Sequence, residues 1–154
     1  MNKQIPCLLF SLCKELFGIN VENVLRVINF EKLMKVPKAP DFIAGAISLE
    51  GNVIPVVDLA KKIQLGETSI TKATKIIILE VIHQEDPMEV GVLIDDVLDV
   101  VDINENKIVP PVLERMGFDT QILDGMYKLN EDFYMLVNAY KVFERELATI
   151  EVPQ

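Results

Sequence analysis

Two apolar runs on either side of a short polar segment constrain the fold more than any other feature of this chain. Residues 43–49 alternate large and small side chains, and residues 53–57 are almost continuously apolar. A period of two predicts a strand with one buried face, and the second run fits a strand buried on both faces. The glycine and asparagine of the intervening segment, residues 50–52, can adopt the positive φ of a tight reversal. The pattern predicts an antiparallel hairpin, with Pro55 at an edge or bulge because it has no N–H to donate.

Similar short apolar runs recur along the chain, which is typical of barrels or sandwiches. Residues 21–28 instead space their apolar side chains like a helix with one apolar face, which Asn20 could cap. We expect residues 67–75, which are polar and rich in threonine, to be a loop. No internal repeat is evident. The predicted strands are 6–12, 16–20, 75–81, 88–94, 95–103, 122–129 and 133–137, followed by a helix over 139–147 that Asn138 caps.

Composition excludes several classes of partner. The chain has 154 residues, a formal net charge of −9 and no tryptophan, so nucleic acid and anionic membrane surfaces are not expected partners. No run reaches the roughly 18 apolar residues of a membrane-spanning helix, and we expect a soluble cytoplasmic protein. Cys7 and Cys13 would lie roughly 20 Å apart on one extended strand, so they are expected to be reduced thiols.

Candidate chemistry is sparse. The acidic residues Asp95, Asp96, Asp99 and Asp102 lack the glycines and ligand spacing of a calcium loop. His83 has no nucleophile or second acid beside it in the sequence. No phosphate-binding, nucleophile-elbow or zinc-protease motif is present. We therefore expect no catalytic residues, no metal and no cofactor.

The central hairpin resembles the signature of CheW-like adaptor domains, and the resemblance extends over residues 5–147. Further matches lie in the segment 91–101 and in the strand and helix at the end of the chain. The residues of the central segment that match the family pattern are Pro40, Phe42, Ile43, Gly45, Leu49, Gly51, Pro55, Val57, Asp58 and Leu59.

The resemblance implies a mainly β fold of two intertwined, SH3-like, five-stranded β-barrels with a C-terminal helix. Residues 1–154 would form a single CheW-like domain, with the change-over between barrels near 64–75. The implied function is a non-enzymatic adaptor that couples methyl-accepting chemoreceptors, at the inner face of the membrane, to the regulatory domain of a CheA-type histidine kinase. The alternatives are an adaptor of a non-flagellar chemosensory array and a barrel that binds a small ligand.

Site residues follow from the same resemblance. Val24, Arg26, Gly45 and Glu50 align with family positions for kinase binding and coupling. The positions that align with receptor contacts, in a groove between the barrels, are Ile77, Val97 and Val100.

Two of these positions depart from the family pattern. Arg26 stands where the family has glutamate, and Glu50 stands where it has arginine. We predict that the two side chains pair, so that the exchange keeps the ion pair and reverses its direction. Two independent surface changes are the alternative.

Overall fold

The computed structural model describes residues 3–110 and 121–150, and the side chains as far as residue 144. Within these residues the chain forms two five-stranded sheets and a C-terminal helix, which confirms the mainly β fold. Closure of each sheet into a barrel stays a prediction. The first sheet contains Gln4–Leu12 (β1), Glu15–Asn20 (β2), Asp96–Asn104 (β8), Leu123–Leu129 (β9) and Asp132–Val137 (β10). The second contains Val24–Asn29 (β3), Ile43–Leu49 (β4), Asn52–Asp58 (β5), Lys75–His83 (β6) and Asp86–Ile94 (β7). The helices are Leu59–Lys62 (α1) and Ala139–Ile150 (α2).

Within the described residues, the chain enters and leaves the second sheet once. Its five strands are consecutive in sequence, whereas the first sheet combines strands from both ends of the described chain. The predicted change-over near 64–75 is therefore wrong, because this loop joins β5 to β6 within the second sheet. The chain passes between sheets at residues 20–24 and 94–96. A long polar loop resembles a linker between two units in sequence, but this one joins two strands of the same sheet.

The two sheets share one pairing plan, although no repeat is evident in the sequence. The strand orders are β8-β1-β2-β10-β9 and β3-β6-β7-β5-β4. In each, two antiparallel hairpins are joined by one parallel pair, and a further strand lies outside one hairpin. The equivalent strands are thus β3 and β8, β4 and β9, β5 and β10, β6 and β1, and β7 and β2. The repeat escapes notice in the sequence because β1 and β2 precede the other strands of their sheet.

The central hairpin forms as predicted, although its turn uses different residues. Glu50 and Gly51 take the positive φ values, 50° and 86°, and Asn52 already belongs to β5. Two successive residues at positive φ match the twist of a two-residue hairpin. Pro55 faces Ala46 on β4, and the parallel pairing of β5 with β7 begins only at the next residue. The proline thus lies where one side of β5 has no ladder partner.

The helix predicted over residues 21–28 is wrong beyond its first turn. A short 3-10 turn covers Val21–Asn23, and β3 follows directly. Asn20 caps this turn as expected, because its side chain accepts a hydrogen bond from Glu22 N at 2.8 Å. Pairing with β6 overrides the helical spacing. Leu25 is an extra residue between two paired neighbours, a bulge that changes the phase of the strand.

Three clusters of apolar side chains form the core. One lies within the second sheet and includes Ile76 and Ile78, and another lies within the first sheet and includes Leu9. The largest cluster takes residues from both sheets, among them Ile77 of β6 and Leu8 of β1. Neighbouring residues of β6 thus enter different clusters, as the alternation of a strand buried on both faces requires. This shared core holds the two sheets together.

Polar side chains at the ends of β5 and β10 form hydrogen bonds to the segments that follow these strands. Asp58 ends β5 and is 4% exposed. Its carboxylate accepts hydrogen bonds from Thr68 N at 3.2 Å and Thr68 Oγ1 at 2.9 Å, which anchors the loop between β5 and β6. At the equivalent end of β10, Asn138 Oδ1 accepts from Lys141 N at 3.0 Å and caps α2 as predicted.

Candidate interaction surface

The clearest candidate surface lies along β3, the outer strand of the second sheet. Its side chains are more exposed than those of the inner strands: Leu25 is 45% exposed and Val27 is 36% exposed. Val24 is half-buried and packs against the shared core. One edge of β3 pairs with β6, and its other edge pairs with no strand among the described residues. An unpaired edge with apolar side chains can accept another protein.

Arg26 and Glu50 form the predicted ion pair. Arg26 Nη1 lies 3.1 Å from Glu50 Oε1, and both side chains are largely exposed, at 44% and 69%. Arg26 belongs to β3, whereas Glu50 lies in the turn after β4, the outer strand at the opposite end of the sheet. A flat sheet would separate these strands by roughly 19 Å, at about 4.8 Å per strand. The contact therefore requires the sheet to curl until its outer strands approach each other.

This contact defines one surface, which we call the β3–turn surface: Val24, Leu25, Arg26, Val27 and Glu50. Its polar centre is the ion pair and its flanks are apolar. An exposed pair of this kind stabilises a fold by only about 0–1 kcal/mol. Its value at an interface lies in orientation and discrimination between partners, because a reversed charge opposes a wrong partner.

Gly45 contributes backbone geometry and no side-chain surface. It is buried in β4 at a φ of +154°, and a Cβ there would lie 2.6 Å from Met34 O and 2.7 Å from Leu33 Cβ. Met34 and Ala46 exchange both backbone hydrogen bonds, at 2.8 and 2.9 Å, so the segment before β4 lies directly over this glycine. Gly45 thus allows two stretches of backbone to approach closely.

The three candidate receptor residues occupy different environments. Ile77 is fully buried, at 0% exposure, and belongs to the shared core. Val97 is half-buried on β8 and packs against the same core, whereas Val100 is 57% exposed on that strand. Val97 and Val100 therefore offer surface to a partner. Ile77 has none to offer and can influence a receptor groove only by supporting it.

The outer strand β8 resembles β3 but carries the opposite charge. Val97, Leu98, Asp99 and Val100 occupy the register positions equivalent to Val24, Leu25, Arg26 and Val27. Leu98 is also a bulge residue and is 45% exposed.

The acidic run contains side chains that bind backbone groups of the fold. Asp95 Oδ2 accepts from Cys13 N at 2.7 Å, Asp96 Oδ1 from Val97 N at 2.8 Å, and Asp99 Oδ1 from Val100 N at 2.8 Å. Among the described residues, no cluster of three His, Cys, Asp or Glu side chains is arranged to hold a metal ion. Nor does any described helix have the length and apolar character needed to cross a membrane.

The histidine and the two cysteines have structural surroundings that do not suggest catalysis. His83 ends β6, where its Nδ1 lies 3.2 Å from the Tyr140 hydroxyl of α2. Both cysteines are free thiols, as expected. Burial raises the pKa of the Cys7 thiol to about 11, with the carboxylates of Asp102 and Asp124 adding to the effect. A thiol that holds its proton so strongly is a poor nucleophile at neutral pH.

Comparison with known proteins identifies the family. Residues 6–147 match the CheW-like domain. The chain belongs to the CheW-like domain family. The chemotaxis protein CheW of Thermotoga maritima is 36% identical over 143 residues, covering 92% of this chain and 89% of that protein. CheW of Bacillus subtilis is 30% identical over 138 residues, covering 89% and 85%. The crystal structure of the scaffolding protein TtCheW from Thermoanaerobacter tengcongensis is similar, with a TM-score of 0.81, 31% identity and coverage of 92% and 88%.

Two members of the β3–turn surface, Leu25 and Val27, were not predicted from the sequence. Leu25 lies in the segment that was predicted to be a helix, and no site role was predicted for Val27. Both depend on the strand conformation of residues 24–29, which brings them to an exposed edge. Three β-branched residues in this stretch were the available signal, since valine and isoleucine favour strands.

Proposed function

We propose that this chain is a non-enzymatic adaptor of a chemotaxis array, which couples methyl-accepting chemoreceptors to a CheA-type histidine kinase. Membership of the CheW-like family and the likeness to a scaffolding protein support an adaptor role. The observation that carries the proposal is the β3–turn surface, an unpaired edge whose apolar side chains flank an exposed ion pair.

The kinase regulatory domain is the proposed partner of the β3–turn surface. Val24, Leu25 and Val27 supply apolar contact area, and the pair of Arg26 and Glu50 determines which charges the partner must present. A kinase domain that accepts this chain would place an acidic group near Arg26 and a basic group near Glu50. Because the order of charges is reversed relative to the family pattern, this adaptor selects its own kinase over kinases that serve adaptors with the usual order.

The receptor's cytoplasmic tip is the proposed partner of the β8 side, at the inner face of the membrane. Val100 and the exposed part of Val97 would contact it directly, and Ile77 would support the groove from the shared core. The two partners would then bind different outer strands, so that one chain can hold both at once.

Calorimetric titration with the regulatory domain of the CheA-type kinase from the same genome tests the kinase part. We expect Arg26→Glu to weaken binding about tenfold, which is about 1.4 kcal/mol, because it places two carboxylates together at the proposed contact. Asp99→Arg is the matched control, since Asp99 occupies the equivalent position on β8. Equal affinity for all three proteins, or a larger loss for Asp99→Arg, would contradict the assignment.

Binding of a soluble receptor-tip fragment tests the receptor part separately. Val100→Asp should weaken receptor binding and leave kinase binding unchanged, because Val100 is exposed and lies on an outer strand of the other sheet. Loss of both activities together would contradict separate surfaces. Absence of binding to either partner by the unmodified chain would overturn the adaptor proposal itself.

A further inference from the structure

A cavity outside the proposed kinase and receptor surfaces has the properties of a ligand site. Its volume is about 560 Å³, within the range of roughly 300–1,000 Å³ that small-molecule sites occupy. It lies between the segment that precedes β4, the helix α1 and the loop after it. Apolar side chains, including Leu33, Ile43 and Leu93, line its interior.

Charged side chains of both signs line the cavity, the acidic ones being Asp41, Asp58 and Glu67. Lys35, Lys38 and Lys61 all line this cavity, in a chain whose formal net charge is −9. Lys61 already lies between Asp41 and Glu67, at 3.6 and 3.4 Å. Lys35 and Lys38 are exposed and form no ion pair with any residue that the structure describes. Two cationic groups are therefore available to an anion at the entrance.

Lys38 lies in a tight turn at positive φ. Its φ is +61°, and Ala39 N donates to Val36 O at 3.4 Å across the turn. This is the pattern of a type II turn, whose third position favours glycine. A lysine is less favoured than glycine in this conformation, which seven other non-glycine residues of the described chain also adopt. Glycine at this position would form the turn more easily but would remove the charge.

A buried carboxylate in the cavity lining determines the orientation of a bound ligand. Asp58 lines the cavity, and both of its carboxylate oxygens accept hydrogen bonds from Thr68. A buried carboxylate opposes an anionic group at the inner end, whereas Lys35 and Lys38 attract one at the rim. An apolar chain would lie inward and its charged head would lie outward.

We propose that this cavity binds a small organic anion with an apolar body, such as an aliphatic carboxylate, with the head group at Lys35 and Lys38. The site is independent of the adaptor proposal, since it uses none of the residues assigned to the kinase or the receptor.

Titration of the full chain with sodium octanoate, followed by amide chemical shifts, tests the proposal. We expect shifts concentrated at Ala44, Ile70 and Leu93, which line the cavity. Octan-1-ol supplies the same chain without the charge, and sodium acetate supplies the charge without the chain, so both should bind at least tenfold more weakly. Octanoate shifts that are absent at millimolar concentration or lie elsewhere would overturn the proposal, and so would equal binding of octan-1-ol.

Two substitutions test the basic rim. Lys38→Gly suits the turn, so it should fold at least as stably, and combined with Lys35→Gln it should weaken octanoate binding about tenfold. Lys107→Gln removes an exposed lysine that does not line the cavity, and it should leave affinity unchanged. Unchanged affinity in the double variant, or an equal loss in Lys107→Gln, would contradict recognition of the head group by the rim.

Discussion

The two sheets of this protein are built on the same plan and present different outer strands. In both, a glycine on one strand allows close approach of backbone, and a bulged leucine marks the outer strand. The equivalent strands β3 and β8 then differ at one central position, where β3 has Arg26 and β8 has Asp99. The comparison indicates that the interior carries the shared architecture, whereas the outer strands differ in charge.

Sequence supports this equivalence once the strands are paired. Residues 18–29 align with residues 91–102 without a gap, and both segments begin with glycine and contain the sequence Val-Leu-x-Val. Each segment spans the point where the chain passes from one sheet to the other. The sheets are therefore intertwined by equivalent connections.

The largest expected effect tests the shared core, to which both sheets contribute. Ile77→Ala and Leu8→Ala, at equivalent register positions, should each lower the free energy of unfolding by about 2–5 kcal/mol, because each leaves a cavity. Val100→Ala, on the exposed edge, should change it by less than about 0.5 kcal/mol. Urea unfolding measures all three. A small effect of Ile77→Ala on stability together with a loss of receptor binding would contradict its assignment to the core.

Substitution of the equivalent glycines Gly45 and Gly125 should give the next largest loss of stability. A Cβ on Gly45 would meet Met34 O at 2.6 Å, and one on Gly125 would meet Val109 O at 2.6 Å. Gly45→Ala and Gly125→Ala should therefore each destabilise the fold by about 2–4 kcal/mol, measured by urea unfolding. Gly51→Ala is the control, since its φ is +86° but no atom lies within 4 Å, and it should lose only about 1 kcal/mol. Similar losses of stability in all three variants would show that close backbone approach does not cause the loss at Gly45 and Gly125.

Asp58 at the end of β5 and Asn138 after β10 occupy equivalent positions but make different contacts. Asp58→Ala should destabilise by about 2–3 kcal/mol, since it leaves the buried Thr68 amide and hydroxyl without their acceptor. Asn138→Ala removes a helix cap and should lose about 1 kcal/mol. Thermal unfolding compares the two, and Asp58→Asn is a conservative control. A larger loss at Asn138 would contradict this order.

The ion pair on the outer strand should contribute least to stability. A double-mutant cycle of Arg26→Ala and Glu50→Ala should give a coupling of about 0–1 kcal/mol in unfolding, because both side chains are exposed. The same cycle measured by kinase binding should give a larger coupling if the pair acts at the interface. Strictly additive effects in both measurements would reduce the contact to a coincidence of two surface changes.

Thiol labelling tests burial without any substitution. Cys7 lies inside the first sheet, at the position equivalent to Ile76, whereas Cys13 lies in the turn after β1. Burial raises the pKa of both thiols, so labelling by iodoacetamide should accelerate as pH rises and more thiolate forms. At pH 8 Cys13 should react at least tenfold faster than Cys7, as followed by mass spectrometry. Equal rates would contradict the buried position of Cys7.

Local patterns predicted most strands, because alternation and turn residues act over short distances. The hairpin at residues 43–57 and the caps at Asn20 and Asn138 were predicted in this way. The ion pair of Arg26 with Glu50 was predicted from the exchange of both residues relative to the family pattern. Residues 21–28 were mistaken for a helix because their apolar spacing fits both periods, and pairing with β6 decides between them.

Long-range organisation could not be predicted from local patterns. The position of the change-over depends on which strands pair, and β2 pairs in parallel with β10 near the other end of the described chain. The burial of Ile77 likewise depends on contact between two sheets. The cavity at Lys35 and Lys38 is assembled from three separate segments, none of which has a recognisable motif.

Hydrogen exchange of this chain, alone and with the kinase regulatory domain, tests most directly whether the kinase binds β3 and leaves β8 to the receptor. We expect new protection of backbone amides in β3 and in the turn at Glu50, while β8 keeps the exchange rates of the free chain. Protection centred on β8, or none on either outer strand, would contradict it.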